Sequence, residues 1–397
     1  MFWNSYQSIS GFAQFLTSYL CLLLGFISNI MRYSCKLRKI LLTFIILKGL
    51  SLSVIGNNFF NRFGGAVHRG YVMAHDSEMT NLSRDPFPFF HFTLTGQTQG
   101  HRQWHHTYNF PSLGFDFIFG DLGYPEVLGR SFAFLPHIRL NLFQSEIVNL
   151  RLQHGLGLAY LTRTYDSNSN EENIAIGTAM NLALNMSFEA EWQLAGSLHL
   201  VTGFSLSHYS NGKVETPNKG LNIPSVKLGM FYSFQDPPTF MESPVHISPD
   251  RVRELVVIGS AGFTSSYPPG LEKSARYAIT STYHFPIREK HRLGIGYDFF
   301  YSYPEKRMPT ENHDLSNDSP FVNHGIHLSF QQDFSRMAFI IHSGFYLWDP
   351  DDYRRYVYYH RAGFRYNLIG NLLLNLTLKT HLFRAEFIEW GVGYRIQ

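Results

Sequence analysis

The feature that most constrains this chain is a repeated alternation of side chains. From Ala66 to Gln397 the sequence runs in segments of roughly ten residues in which apolar and polar residues take turns, divided by clusters of Gly, Pro, Asn and Asp. In the segment 371–382, Leu372, Leu374, Leu376 and Leu378 oppose Leu373, Asn375, Thr377 and Lys379. In 148–160, Val148, Leu150 and Leu152 alternate with Asn149, Arg151 and Gln153. Side chains two apart on a strand share a face, so each segment has one apolar and one mostly polar side. No convincing amphipathic helix breaks the series. Such a chain is all-β, and the pattern fits an antiparallel transmembrane β-barrel. Closure is then obligatory, because an open sheet edge in hydrocarbon leaves backbone donors and acceptors unpaired. A soluble pair of β-sandwiches would alternate too. Which face is apolar, the inner or the outer, separates the two.

Eight candidate strands lie between Ala66 and Phe234, among them 66–75, 176–189, 198–210 and 222–234, and a second group runs from Glu254 to Ile396. The total of about 14–16 strands can close as one large barrel or as two smaller ones. The stretches 166–173, 235–250, 303–320 and 349–355 are polar, acidic or Pro-rich and are expected to be solvent loops. The chain therefore divides into an N-terminal leader (1–56), a β-barrel core (57–234), and further strands (235–397) that complete a larger barrel or form a second β-domain. The aromatic run at Phe387–Gln397 reads as a final barrel strand. Tyr356, Tyr358, Tyr359, Trp348 and Trp390 suit interfacial girdles.

Composition narrows the function classes. Aromatic residues make up 16% of the chain, which favours pleated, half-buried surfaces. The formal charge of +3 comes from scattered Lys and Arg with no basic stripe, so nucleic acid is not an expected partner. The only cysteines, Cys21 and Cys35, fall in the leader, which excludes a thiolate metal site in the mature chain. Within the leader, Met31, Arg32, Lys36, Arg38 and Lys39 precede the apolar run 40–47 and the small residues Ser51, Ser53 and Gly56. That order is the order of a secretory signal peptide with Met31 as its start. A membrane anchor over residues 12–47 is the competing reading. His101, His105 and His106 cluster in sequence, but no carboxylate or cysteine accompanies them at ligand spacing, so neither a metal nor another cofactor is expected. Gly155-Leu156-Gly157 is followed by no helix and is no nucleotide fingerprint.

The chemistry-bearing stretch is Leu206-Ser-His-Tyr-Ser-Asn-Gly212, followed by Pro217-Asn-Lys-Gly-Leu-Asn222. His208 and Ser210 are two apart on a candidate strand and share its face with Phe204 and Leu206. Asn222 has the parity of Val226, Leu228, Met230 and Tyr232 on the next strand. A base and a nucleophile are thus expected side by side on an apolar barrel exterior, near a strand end.

His-Tyr-Ser-Asn-Gly followed by Pro-Asn-x-Gly resembles the signature of the lipid A 3-O-deacylase (PagL-like) family, also called acyloxyacyl hydrolases. The resemblance covers roughly 66–234, and 248–397 resembles the longer versions of that family. It implies an outer-membrane barrel of a Gram-negative bacterium, eight-stranded over the core, acting on lipid A or lipopolysaccharide. It further implies Ser210 as nucleophile, His208 as general base, and Asn211 with the backbone N–H of Gly212 or Lys213 as oxyanion donors. Where the family's catalytic Glu is expected, this chain has Asn222. An amide can hold the imidazole tautomer but brings no charge. Glu215, Glu386 and Glu389 are the other acids that could serve. The second function open to the sequence is a non-catalytic barrel, structural or a pore, with a degenerate site. A second copy of the chain is a further partner open to such a barrel, as a homodimer.

Overall fold

The computed structural model describes residues 59–235, 239–242, 252–265, 269, 273–303, 321–348, 357–382 and 384–397. The leader with Met31, Cys21 and Cys35, and most or all of the expected loops 235–250, 303–320 and 349–355, lie outside the described residues.

Eight antiparallel strands close a first barrel: β1 Arg62–Gly70, β2 Phe87–Gln97, β3 Ser112–Asp121, β4 Arg130–Gln144, β5 Val148–Leu161, β6 Met180–Ala195, β7 Leu198–Ser210 and β8 Leu221–Ser233. Closure is made by β1 against β8, from Arg62 opposite Ser233 to Gly70 opposite Ser225. Eight more close a second barrel: β9 Glu254–Thr264, β10 Ser274–Arg288, β11 His291–Ser302, β12 Phe321–Phe334, β13 Met337–Trp348, β14 Tyr358–Ile369, β15 Leu372–His381 and β16 Arg384–Ile396. There β16 returns to β9, with Trp390 opposite Ala261. Two closed barrels of eight, rather than one of sixteen, is the outcome. The C-terminal strand belongs to the second barrel.

The burial of the two faces settles which side is apolar. On β6, Leu184, Met186 and Phe188 point outward and are exposed, while Asn185, Ser187, Glu189 and Glu191 point inward and are buried. A polar interior inside an apolar exterior inverts the soluble arrangement and matches a membrane barrel. Both lumens are filled by side chains. In the first, Glu189 binds both Arg139 and Lys227, and Glu191 pairs with Arg62 at 2.7 Å and Arg151 at 3.3 Å. Beside them Asp116 sits between His91 at 2.8 Å and His137 at 3.0 Å. In the second, Asp298 accepts from His327 at 2.7 Å and pairs with Arg361 at 2.8 Å.

The connections 70–87, 121–130, 161–180 and 210–221 all lie at one end of the first barrel, and an apolar plug closes that end. It contains Val72, Met79, Leu82, Leu128, Ile176, Tyr209, Leu221 and Ile223, each buried. Two boundaries differ from the sequence expectation here. The strand expected over 66–75 ends at Gly70, and the one expected over 176–189 begins at Met180, because Val72 and Ile176 fold inward into the plug. At the other end, His105 and His106 belong to a short helix, α1 (Gln103–Thr107). His105 there accepts the Gly100 N–H at 3.3 Å, and burial pushes its imidazole down to about 4.

Residues of the two barrels touch at both ends. Tyr108, next to α1, stacks on Phe334 at 4.5 Å between ring centroids and donates its hydroxyl to the Asp333 carbonyl at 2.8 Å. At the plugged end the Ser265 N–H donates to the Lys213 carbonyl at 2.9 Å, and Lys273 pairs with Glu215 at 3.1 Å.

Candidate active site

The site forms where β7 and β8 reach the plugged end. Strand alternation sends Tyr209, Leu221 and Ile223 inward into the plug, and their immediate neighbours His208, Ser210 and Asn222 outward. Burying each of those three apolar side chains is worth about 1.5–3 kcal/mol. That anchorage fixes the strand ends from within and so holds the outward residues. The exterior below them is apolar: Phe204 is 69% exposed and Leu228 59%, with Leu206 and Val226 beside them.

His208 and Asn222 are direct cross-strand partners. The His208 Nδ1 to Asn222 Oδ1 distance is 2.7 Å and the His208 Nε2 to Ser210 Oγ distance 3.0 Å. An amide oxygen can only accept, so Nδ1 carries the imidazole proton and Nε2 is left with a lone pair toward the serine hydroxyl. That is the tautomer a general base needs. Ser210 is only 8% exposed, so its hydroxyl is largely shielded from bulk water.

The loop 211–220 that covers this pair is tied down at several points. The Asn211 N–H donates to Asn218 Oδ1 at 3.0 Å, and Asn211 Nδ2 donates to the Glu215 carbonyl at 3.0 Å. Gly220, with φ of 76°, passes so close over the imidazole that a Cβ there would lie 3.0 Å from His208 Cε1. Only glycine combines that backbone with that approach. Gly212, with φ of 65°, abuts the second barrel: a Cβ on it would lie 2.5 Å from Ile388 Cγ1.

The other expected residues divide. Asn211 is at the site, where its side-chain amide donates to the Glu215 carbonyl at 3.0 Å and so braces the loop that carries Gly212 and Lys213. Glu215 is on the covering loop, with its carboxylate paired to Lys273 and not to His208. Glu386 and Glu389 are corrected outright. Both point into the lumen of the second barrel, where Glu386 binds Lys379 at 2.6 Å and Glu389 binds Arg361 at 2.7 Å. The two differ in parity, and the register shift where β15 passes from Lys379 to Thr380 leaves Glu386 as the extra residue of β16 and brings it inward like Glu389, while Ile388 between them reaches the site loop.

Sequence reasoning missed His75, Asn218 and Lys219. His75 is exposed on the 70–87 connection, and Asn222 Nδ2 lies 3.1 Å from its Nδ1. Its Nε2 lies 3.1 Å from the Lys219 carbonyl. The Lys219 ammonium in turn binds Asp76 at 2.7 Å and Glu78 at 2.6 Å. Asn218 and Lys219 stand in the Pro-Asn-x-Gly motif, which carried the signal; His75 is marked by no local pattern. Among the described residues no cluster of His, Cys, Asp and Glu is arranged to hold a metal ion.

The model of the family "Lipid A 3-O-deacylase (PagL)" matches residues 89–231, and that of "Acyloxyacyl hydrolase, C-terminal domain" matches residues 254–397. No curated protein matches the chain. Among solved structures, "Crystal structure of the outer membrane enzyme PagL" is 14% identical, with 41% of this chain and 97% of that one covered and a TM-score of 0.25. A Rhodopseudomonas blastica porin mutant is 8% identical over 84% of this chain and 99% of its own, at a TM-score of 0.17. The TodX monoaromatic hydrocarbon channel mutant is 9% identical over 85% and 90%, also at 0.17. The two family models follow one another along the chain and together span most of it.

Proposed function

Given that the chain belongs to the lipid A 3-O-deacylase (PagL) and acyloxyacyl hydrolase family, we propose that it is an outer-membrane serine esterase that hydrolyses an ester-linked acyl chain of lipid A. The observation that carries this reading is the unbroken line Ser210, His208, Asn222, at 3.0 and 2.7 Å, on the apolar exterior of a barrel. A substrate lying in the membrane can lay an acyl chain along Phe204, Leu206, Val226 and Leu228 and bring its ester carbonyl up to Ser210. The longer connections mark the site's end of the barrel as the outer one, which is the leaflet that holds lipid A.

In the reaction, Ser210 Oγ attacks the ester carbonyl while its proton passes to His208 Nε2. The Gly212 N–H, one residue beyond Asn211, is the donor proposed for the oxyanion. His208 then returns the proton to the departing sugar hydroxyl, and the acyl group stays on Ser210. A water activated by His208 releases the fatty acid and regenerates the serine. Asn222 holds the imidazole in its working tautomer throughout. Having no charge, it stabilises the imidazolium formed in both steps less than a carboxylate in its place would.

The test is mass spectrometry of lipid A from cells that export the wild type or Ser210→Ala. A loss of one acyl chain that disappears with Ser210→Ala supports the esterase. Unchanged lipid A with folded wild-type protein in the outer membrane overturns it and leaves the non-catalytic barrel.

A further inference from the structure

A carboxylate has two like ends, but an amide has a donor end and an acceptor end. Asn222 must therefore face a particular way for His208 to work. With Oδ1 toward His208 Nδ1–H, its Nδ2 points to His75 Nδ1 at 3.1 Å, where it needs an acceptor. His75 supplies one, because its other nitrogen is committed: Nε2 faces the Lys219 carbonyl at 3.1 Å, which can only accept, so Nε2 carries the proton and Nδ1 the lone pair. Each proton in the series Lys219 carbonyl, His75, Asn222, His208, Ser210 is then assigned, starting from a backbone carbonyl.

We infer that His75 is a positioning residue that sets the orientation of Asn222, and that its protonation switches Ser210 off. The inference rests on the esterase reading above. Once protonated, His75 presents Nδ1–H to Asn222 Nδ2–H, two donors face to face. Asn222 relieves this by turning its amide over, so that Oδ1 meets His75 and Nδ2 meets His208. His208 must then keep its lone pair on Nδ1 and its proton on Nε2. In that tautomer it donates to Ser210 and takes nothing from it.

His75 is exposed, so its proton comes from bulk solvent. The charged groups about it are Asp76 and Glu78 on its own connection, Lys219 on the covering loop, His208 across Asn222, and Arg384 on β16, whose charge reaches Asp76. The hydrogen bond from Lys219 holds the Asp76 carboxyl below its ordinary value, so this brace stays ionised in mild acid.

The experiment uses the full chain in detergent micelles and follows the rate at which a long-chain alkyl fluorophosphonate labels Ser210 between about pH 5 and pH 9, with Ser210→Ala as the blank. Acyl release from lipid A in mixed micelles is followed in parallel. Gln at position 75 can accept from Asn222 but does not titrate. His75→Gln is expected to label within about two-fold of wild type at high pH and to hold its rate at a pH where wild type has lost about five-fold. His75→Ala, which leaves Asn222 unheld, is expected to label about five-fold more slowly than wild type at high pH and to lack the acid loss that wild type shows. Superimposable profiles for wild type and His75→Gln would overturn the inference, as would a wild type whose Ser210 is not labelled. If labelling responds to His75 while lipid A stays intact, the relay stands and the substrate assignment falls. If lipid A is deacylated with no response to His75, the reverse holds.

Discussion

At the scale of single residues, the account turns on Asn222. It satisfies the geometry of a catalytic acid at 2.7 Å from His208 without its charge. Asn222→Glu or Asn222→Asp is therefore expected to raise the rate of deacylation about ten-fold or more, read as kcat on lipid A in mixed micelles. His208→Ala, which removes the base, is expected to lower it by at least about a thousand-fold. His208, Ser210 and Asn222 were all legible in the sequence, because parity on two strands and a short motif put them on one outward face. Asn211 was legible as a neighbour but its contacts were not, since its backbone N–H meets Asn218 and its amide meets Glu215 only once the loop folds back. His75 was illegible: it comes from a connection 147 residues before Asn222 in the chain, and no local periodicity marks a residue whose partner is supplied by barrel closure.

At the scale of elements, the site depends on strand ends pinned from inside and a loop pinned from outside. Gly212 is where the loop 211–220 meets β16, and both its left-handed backbone and its contact with Ile388 demand a hydrogen in place of a side chain. Gly212→Ala is expected to cost about 1 kcal/mol or more in backbone strain and to lower deacylation about ten-fold, with the barrels still resistant to SDS at room temperature. Ile388→Ala, by contrast, loosens the loop without straining it and is expected to cost a few-fold, about five at most, in the same assay. The strands themselves read well from the sequence: β7 begins and ends at Leu198 and Ser210, as the alternation places it. Gly70 and Met180 shifted because apolar residues beyond the strand turn inward to the plug, while away from the plug β1 starts earlier, at Arg62, and β6 runs on to Ala195. An alternating pattern cannot tell an outward apolar residue from one that folds over the barrel mouth.

At the scale of the whole molecule, two barrels of eight are built from one continuous alternating pattern. The pattern is the same for one barrel of sixteen, because it records which face meets lipid and not which strand β8 pairs with. That choice lies in the register of β1 against β8, residues far apart in the chain. Closing at eight brings the interiors near enough to fill with side chains, and Glu189 between Arg139 and Lys227 illustrates the consequence. Glu189→Ala leaves both cations buried without their counter-charge and is expected to destabilise the first barrel by about 3–5 kcal/mol, seen as a lower urea midpoint in detergent. A filled lumen also predicts no porin-like conductance in planar bilayers; a steady open-channel current would place a pore where these side chains lie. The central claim is that Ser210 on the lipid-facing exterior cuts an acyl ester. Its most direct test is the mass of lipid A from cells exporting wild type, Ser210→Ala and Asn222→Glu: the account predicts a species short of one acyl chain with wild type, none with Ser210→Ala and more with Asn222→Glu, and it is contradicted by lipid A of unaltered mass in all three.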